Sequence, residues 1–148
     1  MFAALTADHA FQLRIFPCEH LDTEWGSEIA EMIRDRLAYS LAAHEVEGIG
    51  CWDEDGLLSG LIAYKPDVDP EIWRIPILAV RYDCKRQHIG IHLKGLVMDL
   101  ARDAGALVVA SLVHRENGPM RWLNDQLGAD SEPYPPYPDE YLIYTLAL

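Results

Sequence analysis

Residues 72–90, IWRIPILAV followed by RYDCKRQHIG, carry the reading of this chain. IWRIPILAV is a nearly continuous apolar run of strand length, the pattern of a strand covered on both faces. Pro76 inside it removes one ladder donor, so a bulge or splay is expected beside it. Downstream, Leu93, Leu96, Val97, Leu100 and Ala104 form one stripe that Gly105 closes, which predicts a helix. ALVVASLV, residues 106–113, is a second apolar strand. Strand, helix and strand in direct succession make one βαβ crossover, which requires a parallel pair.

The connection between that first strand and the helix is chemically distinctive. Arg81, Lys85, Arg86 and Lys94 place four basic residues in fourteen positions, where even spreading would put about one. Gly90 lies at the helix start, where backbone N–H groups and the positive dipole end form an anion site and a glycine admits a phosphate closely. The functional reading is a pyrophosphate cradle. The bland one is a solvated basic loop in an acidic protein.

Working outward, FQLRIF (residues 11–16) alternates Phe11, Leu13 and Ile15 against Gln12 and Arg14, a strand pattern. Asp22 or Thr23 would cap an amphipathic helix bearing Trp25, Ile29, Met32, Ile33 and Leu37. EVEGIGCW and GLLSGLIAY flank Asp53-Glu54-Asp55-Gly56, a hairpin signal, and KPDVDPE makes an acidic loop before the central strand. The short Leu41–Val46 connection predicts a reduced or absent second helix. Beyond the crossover, GPMRWLNDQLG reads as a short helix with Pro119 in its first turn and Gly128 at its end. SEPYPPYPDE reads as a loop, and YLIYTLAL as a final strand, Tyr141 to Leu148. One core and no linker predict a single domain over residues 1–148.

Composition limits the function classes. The chain has 148 residues, half of them apolar, with 12 Lys and Arg against 24 Asp and Glu and a formal charge of −12. A core of that size needs no disulfide or structural metal, and a charge of that sign repels nucleic acid. Cys18, Cys51 and Cys84 cannot all pair and lie in unlike surroundings, so reduced thiols in a cytoplasmic protein are expected. MFAALTADHA lacks a basic leader pattern, and no apolar run approaches the length of about 18 residues that a membrane span needs.

The segment from Ile72 to Ala129 resembles the core of the GNAT superfamily of acyl-CoA N-acyltransferases. That family has a strand ending in an apolar-Val step, an Arg/Gln-x-x-Gly-x-Gly/Ala loop opening a helix, and a second strand. An Asn-x-x-Ala-x-x-Phe-Tyr-x-x-x-Gly-Phe motif follows. With Gly90 as the second small residue of the loop, Val80, Leu93, Ala101 and Gly105 fall at the family's spacing, and Asn117, Met120, Leu123, Asn124 and Gly128 follow without gaps. A rival register, Gln87-x-x-Gly90-x-His92, needs a two-residue shift on both sides. His88 occupies the first Gly position, Asn124 stands where a Tyr often protonates the departing thiolate, and Ala129 replaces an aromatic residue.

The resemblance implies an α+β (mixed α/β) fold: a central twisted mixed sheet of about six or seven strands, with a splayed parallel pair and about three or four flanking helices. It implies an acyltransferase, acetyl above all, moving the acyl group from acetyl-CoA to a small-molecule or peptide amine in a ternary complex. The alternative is a non-catalytic CoA-binding or interaction module. Leu78, Ala79 and Val80 would pair with the pantetheine arm and one N–H would bind the oxyanion. Lys85, Arg86, Gln87, His88, Ile89, Gly90 and Ile91 would hold the pyrophosphate, with Asn117 and Asn124 beside the cofactor. Glu71 is a candidate base, with Glu45 and Glu47 behind it. Asn124 occupies the donor position, and Tyr134 or Tyr137 would replace the missing phenol. No nucleic acid, membrane or metal partner is expected, and a homodimer is left open. The acidic segments would favour a cationic acceptor.

The remaining chemistry-bearing residues take ordinary readings. His88 and His92 share a helical face, but the intervening residues lack the Glu of His-Glu-x-x-His, so no zinc is expected. Cys84 lies among cations that would lower its pKa, yet without a positioned base it reads as an incidental thiol. Trp25, Trp52, Trp73 and Trp122 read as core or dimer-contact residues.

Overall fold

The computed structural model describes all 148 residues except the side chain of Arg86. Seven strands form one sheet in the order β1-β2-β3-β4-β5-β7-β6. They are β1 (Phe2–Leu5), β2 (Glu47–Trp52), β3 (Leu58–Pro66), β4 (Ile72–Val80), β5 (Val108–His114), β6 (Asp130–Pro133) and β7 (Tyr141–Ala147). β4 and β5 are parallel, whereas β1 with β2, β5 with β7 and β6 with β7 are antiparallel. The mixed sheet and parallel pair are those the resemblance implies.

The chain divides into two compact units, Met1–Ala63 with Ile77–Leu93, and Tyr64–Pro76 with Lys94–Leu148. In the first, the core gathers Leu5, Leu13, Phe16, Ile33, Leu37, Leu41, Leu61 and Ile77. In the second, Val113, Leu142 and Tyr144 form a buried cluster.

The N-terminal segment corrects the sequence reading. FQLRIF is a helix, α1 (Ala10–Ile15), and the first strand is Phe2–Leu5, paired with Gly48–Cys51. Six residues fit a period of 2 and a period of 3.6 about equally well, and here two local contacts decide. Thr6 accepts from the Asp8 N–H, and the His9 ring accepts from the Thr6 N–H, closing a capping box at the 3-10 turn Ala7–His9 that leads into α1. The buried residues are Leu13 and Phe16, one helical turn apart, whereas Phe11 is 72% exposed. Gln12 leaves the polar face to bridge the β2–β3 hairpin: its Nε2 donates to the Gly56 carbonyl and its Oε1 accepts from the Leu58 N–H. Leu13→Ala should therefore cost roughly 2–5 kcal/mol in urea unfolding. Phe11→Ala should cost less than about 0.5 kcal/mol, whereas a strand reading requires comparable losses at both.

The amphipathic helix is longer than its apolar stripe indicates. Thr23 caps α2 (Glu24–Glu31), which passes through a π-helical turn, Met32–Arg36, into α3 (Leu37–Ala42). The Leu41–Val46 connection predicts a reduced or absent second helix, and residues 43–46 between α3 and β2 form turns and bends. Two further expectations change. β4 is not covered on both faces, since Ile75 and Ile77 are buried while Arg74 and Pro76 are exposed. The start of the Pro-rich segment is strand β6, paired with Leu142–Thr145 of β7. No helix among the described residues is long and apolar enough to cross a membrane.

Candidate functional site

The C-terminal half of β4 leads directly into the loop singled out above. Arg81 is pinned at the strand exit: its N–H donates to the Ser59 carbonyl at 2.8 Å, its Nε to Asp83 at 2.7 Å and its Nη2 to Asp53 at 3.0 Å. Asp53 is further engaged by the N–H groups of Leu57 and Asp55. These bonds, the Leu57 one foremost and the Arg81 one with them, hold its carboxyl below the usual range. A 3-10 turn over Tyr82–Gln87 follows, and His88 adopts a left-handed conformation with φ 56°. That conformation suits glycine and costs a residue with a Cβ, so the backbone geometry accounts for the Gly of the resembled motif. Helix α4 (Ile89–Asp103) starts at the next residue.

A close approach sets the start of α4. A Cβ built on Gly60 of β3 would lie 2.8 Å from Ile89 Cγ2, 3.3 Å from the Ala79 carbonyl oxygen and 3.4 Å from Leu93 Cδ1. Gly60 is thus the space into which the first turn of α4 settles. Sequence reasoning misses it, because an isolated glycine in a strand marks close approach without saying of what.

Among the described side chains of the Arg81–Lys94 segment, each cation already has its own place. Arg81 is spent on Asp53 and Asp83, and Lys85 pairs with Glu19 at 3.0 Å. Lys94 is buried, at 1% exposure. Arg86 lies outside the described side chains. Gln87 and His88 are exposed, Ile91 is half-buried, and Ile89 and Gly90 are buried; Leu78, Ala79 and Val80 are half-buried.

In the second unit the parallel ladder pairs Ile72–Ile75 with Val108–Ser111, whereas β4 continues to Val80 and β5 to His114. Ser111 closes that ladder and is buried. The Lys94 Nζ donates to the Ser111 Oγ at 3.0 Å and to the Asn124 Oδ1, and Asn124 Nδ2 donates to the Met120 carbonyl at 2.9 Å. Asn124 is 0% exposed, with both ends of its amide engaged. Desolvation pushes the Lys94 ammonium down to about 8. Gly90, Lys94, Val97 and Ala101 share one helical stripe, and all are buried. Leu100 and Ala104, assigned to the buried stripe by the sequence reading, are exposed.

The other expected site residues take separate places. Asn117 caps α5 (Gly118–Gln126) through its side chain, which accepts from the Met120 N–H. Glu71 is exposed and immediately precedes β4, so the length of the strand separates it along the chain from Val80. Its carbonyl accepts from the N–H groups of Leu107 and Val108. Tyr134 is half-buried after β6, its ring 6.5 Å from that of the exposed Tyr137. His92 stacks on Phe2 at 4.1 Å. Trp25 is buried, Trp73 stacks on Tyr64 at 5.5 Å, and Trp122 is 55% exposed.

No family model matches the sequence, and no curated protein does. Solved structures do. An acetyltransferase of the GNAT family from Staphylococcus aureus Mu50 superposes with a TM-score of 0.80 at 9% identity, covering 100% of this chain and 98% of that one. The PaiA N-acetyltransferase from Thermoplasma acidophilum, in complex with coenzyme A, gives a TM-score of 0.79 at 16% identity over 100% and 98%. The chain has the GNAT fold. An aminoglycoside 6'-N-acetyltransferase complexed with coenzyme A shares that GNAT fold at a TM-score of 0.75 and 13% identity, over 99% and 96%. At these identities the likeness is one of fold.

Proposed function

We propose that this protein is an N-acyltransferase that moves an acyl group, acetyl above all, from acyl-CoA to a primary amine by direct attack. The observation that carries the reading is the end of the β4–β5 ladder at Ile75 and Ser111 while β4 runs on into the loop before α4. Strand residues past the end of a ladder offer N–H and C=O groups to an extended chain. Leu78, Ala79 and Val80 would take the pantetheine arm in this way, and one N–H there would stabilise the oxyanion. Main-chain groups from Lys85 to Ile91 would hold the diphosphate, since Arg81 and Lys85 are already paired. The left-handed turn at His88 and the buried Gly90 fit that use.

Holding donor and acceptor together supplies most of the acceleration, and the acyl-CoA supplies an activated thioester. Glu71 stands before the first residue of β4, at the far end of the strand from Leu78–Val80, so the acceptor ammonium loses its proton to water in this reading. A formal charge of −12 favours cationic amines. Three free cysteines fit a reducing, cytoplasmic setting.

The test is thiol release from acetyl-CoA across a panel of small amines and amine-bearing peptides, with CoA binding followed by calorimetry. Release with at least one amine is expected. CoA binding without release from any amine would replace the enzyme with a non-catalytic CoA-binding module, the reading that the Asn124 amide, held at both ends, favours. Absence of CoA binding would remove both.

A further inference from the structure

Among the described residues, the second unit holds a cation without a counterion. Lys94 reaches from α4 to two neutral acceptors, Ser111 on β5 and Asn124 on α5. An ammonium has three N–H donors, and among the described residues two of them have acceptors. No carboxylate is paired with it there. From β7 the titratable group on the same face is Tyr144, directly across from Ser111 in the β5–β7 ladder. From α5, Arg121 turns its guanidinium to the Arg115 carbonyl. Elsewhere on α4, Asp99 is exposed and paired with Arg102. In a chain with twice as many acidic as basic residues, a buried and unpaired ammonium is not surface charge balance. Burial of a charge without a partner is costly unless a charge arrives to meet it.

The place where such a charge would arrive is marked by Ser111. Its hydroxyl accepts from Lys94 and keeps one hydrogen to donate, and no acceptor for that hydrogen is found among the described residues. It is also the last β5 residue in the ladder with β4. We propose that Lys94, acting through the Ser111 hydroxyl, is the positioning cation and proton source for a thiolate released where the β4–β5 ladder ends. This inference rests on the acyl-transfer reading above, because aminolysis of a thioester is what generates a thiolate.

The step balances. The amine nitrogen attacks the thioester carbonyl, the C–N bond forms and the C–S bond breaks, leaving a protonated amide nitrogen and a thiolate. Ser111 gives its hydrogen to sulfur and takes one from the Lys94 Nζ, which becomes a neutral amine. The amide nitrogen sheds its extra proton to water, and Lys94 regains one from water after the products leave. A free thiol titrates at about 8.5, close to the depressed value of Lys94, so the transfer is nearly thermoneutral.

Two readouts test it, one of them independent of turnover. In the wild type, kcat for acetyl-CoA should fall above pH 8, as Lys94 loses its proton. Lys94→Met should lose that alkaline limb together with about 100-fold in kcat, while the calorimetric CoA affinity stays within about threefold. Separately, the thiolate absorbance of bound CoA is titrated. Its thiol pKa should be roughly one unit lower in the wild type than in Lys94→Met. Ser111→Ala should remove the same alkaline limb, and it is read in place of Lys94→Met should that variant not fold. An unchanged limb, or identical bound-thiol pKa values in wild type and variants, overturns the proposal. If the wild type binds CoA but releases no thiol from any amine, the acyl-transfer reading fails, and the bound-thiol titration still decides the role of Lys94.

Discussion

Replacing Gly60 with valine is expected to weaken CoA binding more than tenfold and to destabilise the fold by about 1–3 kcal/mol. A Cβ at this position meets Ile89 Cγ2 at 2.8 Å and the Ala79 carbonyl oxygen at 3.3 Å, with Leu93 Cδ1 just beyond. Ile89 and Leu93 belong to the first turns of α4, and Ala79 to the end of β4. The substitution thus pushes on the main chain proposed to hold the diphosphate and on the strand edge proposed to hold the arm. The closest atom is a β-branch methyl and the next is backbone, so relief requires Ile89 or the start of α4 to shift. Gly95→Ala is the control. It sits on the same helix with nothing within 4 Å of an added Cβ, and it should stabilise by up to about 1 kcal/mol. Urea unfolding and calorimetry with CoA measure both effects. Unchanged CoA affinity in a folded Gly60→Val protein would detach the loop from the cofactor.

The stability of the wild type should rise by about 3 kcal/mol as pH increases from 8 to 10.5, and Lys94→Met should lack that rise. The ammonium is pushed down from 10.5 to about 8 by burial. Below pH 8 it is protonated in both folded and unfolded chains, and the folded state carries the full cost of the buried charge. Above 10.5 it is neutral in both, and the cost is gone. The stability associated with this group is therefore present above the unfolded value and lost as pH falls through the folded one. At pH near neutral the variant should lie close to the wild type. Removing the cation relieves desolvation, but Asn124 and Ser111 then lose a donor, at about 1–3 kcal/mol. Urea midpoints taken at roughly one-unit steps from pH 7 to 10, as wild type minus variant, isolate the effect from other titrations. Parallel curves would show that Lys94 does not titrate in this window.

The strand–loop–helix–strand unit was legible because several independent signals agree on it. The Ile72–Val80 strand matches the apolar run residue for residue, and the α4 helix ends two residues before Gly105. A long apolar run, a closing glycine and a second run leave few alternatives. Phe11–Phe16 failed for the opposite reason. Six residues satisfy both periods, and the contacts that choose between them, Thr6 with His9 and Gln12 with the β2–β3 hairpin, involve residues outside the window.

The candidate site divides the same way. The place of the loop between β4 and α4 followed from spacing, whereas the left-handed residue His88 did not. The fate of each charge did not, because net composition says nothing about pairing: Arg81 went to Asp53 and Asp83, Lys85 to Glu19, and Lys94 to the interior.

By itself, then, the amino-acid order determined the parallel crossover, its glycine-bearing loop and the acidic balance, since periodicity and turn chemistry act over a few neighbouring residues. Only the tertiary structure decided that Lys94 is buried against Ser111 and Asn124, that Gly60 makes room for α4, and that the N-terminal segment is helical. Those outcomes depend on which surfaces meet across sequence separations that no local pattern encodes.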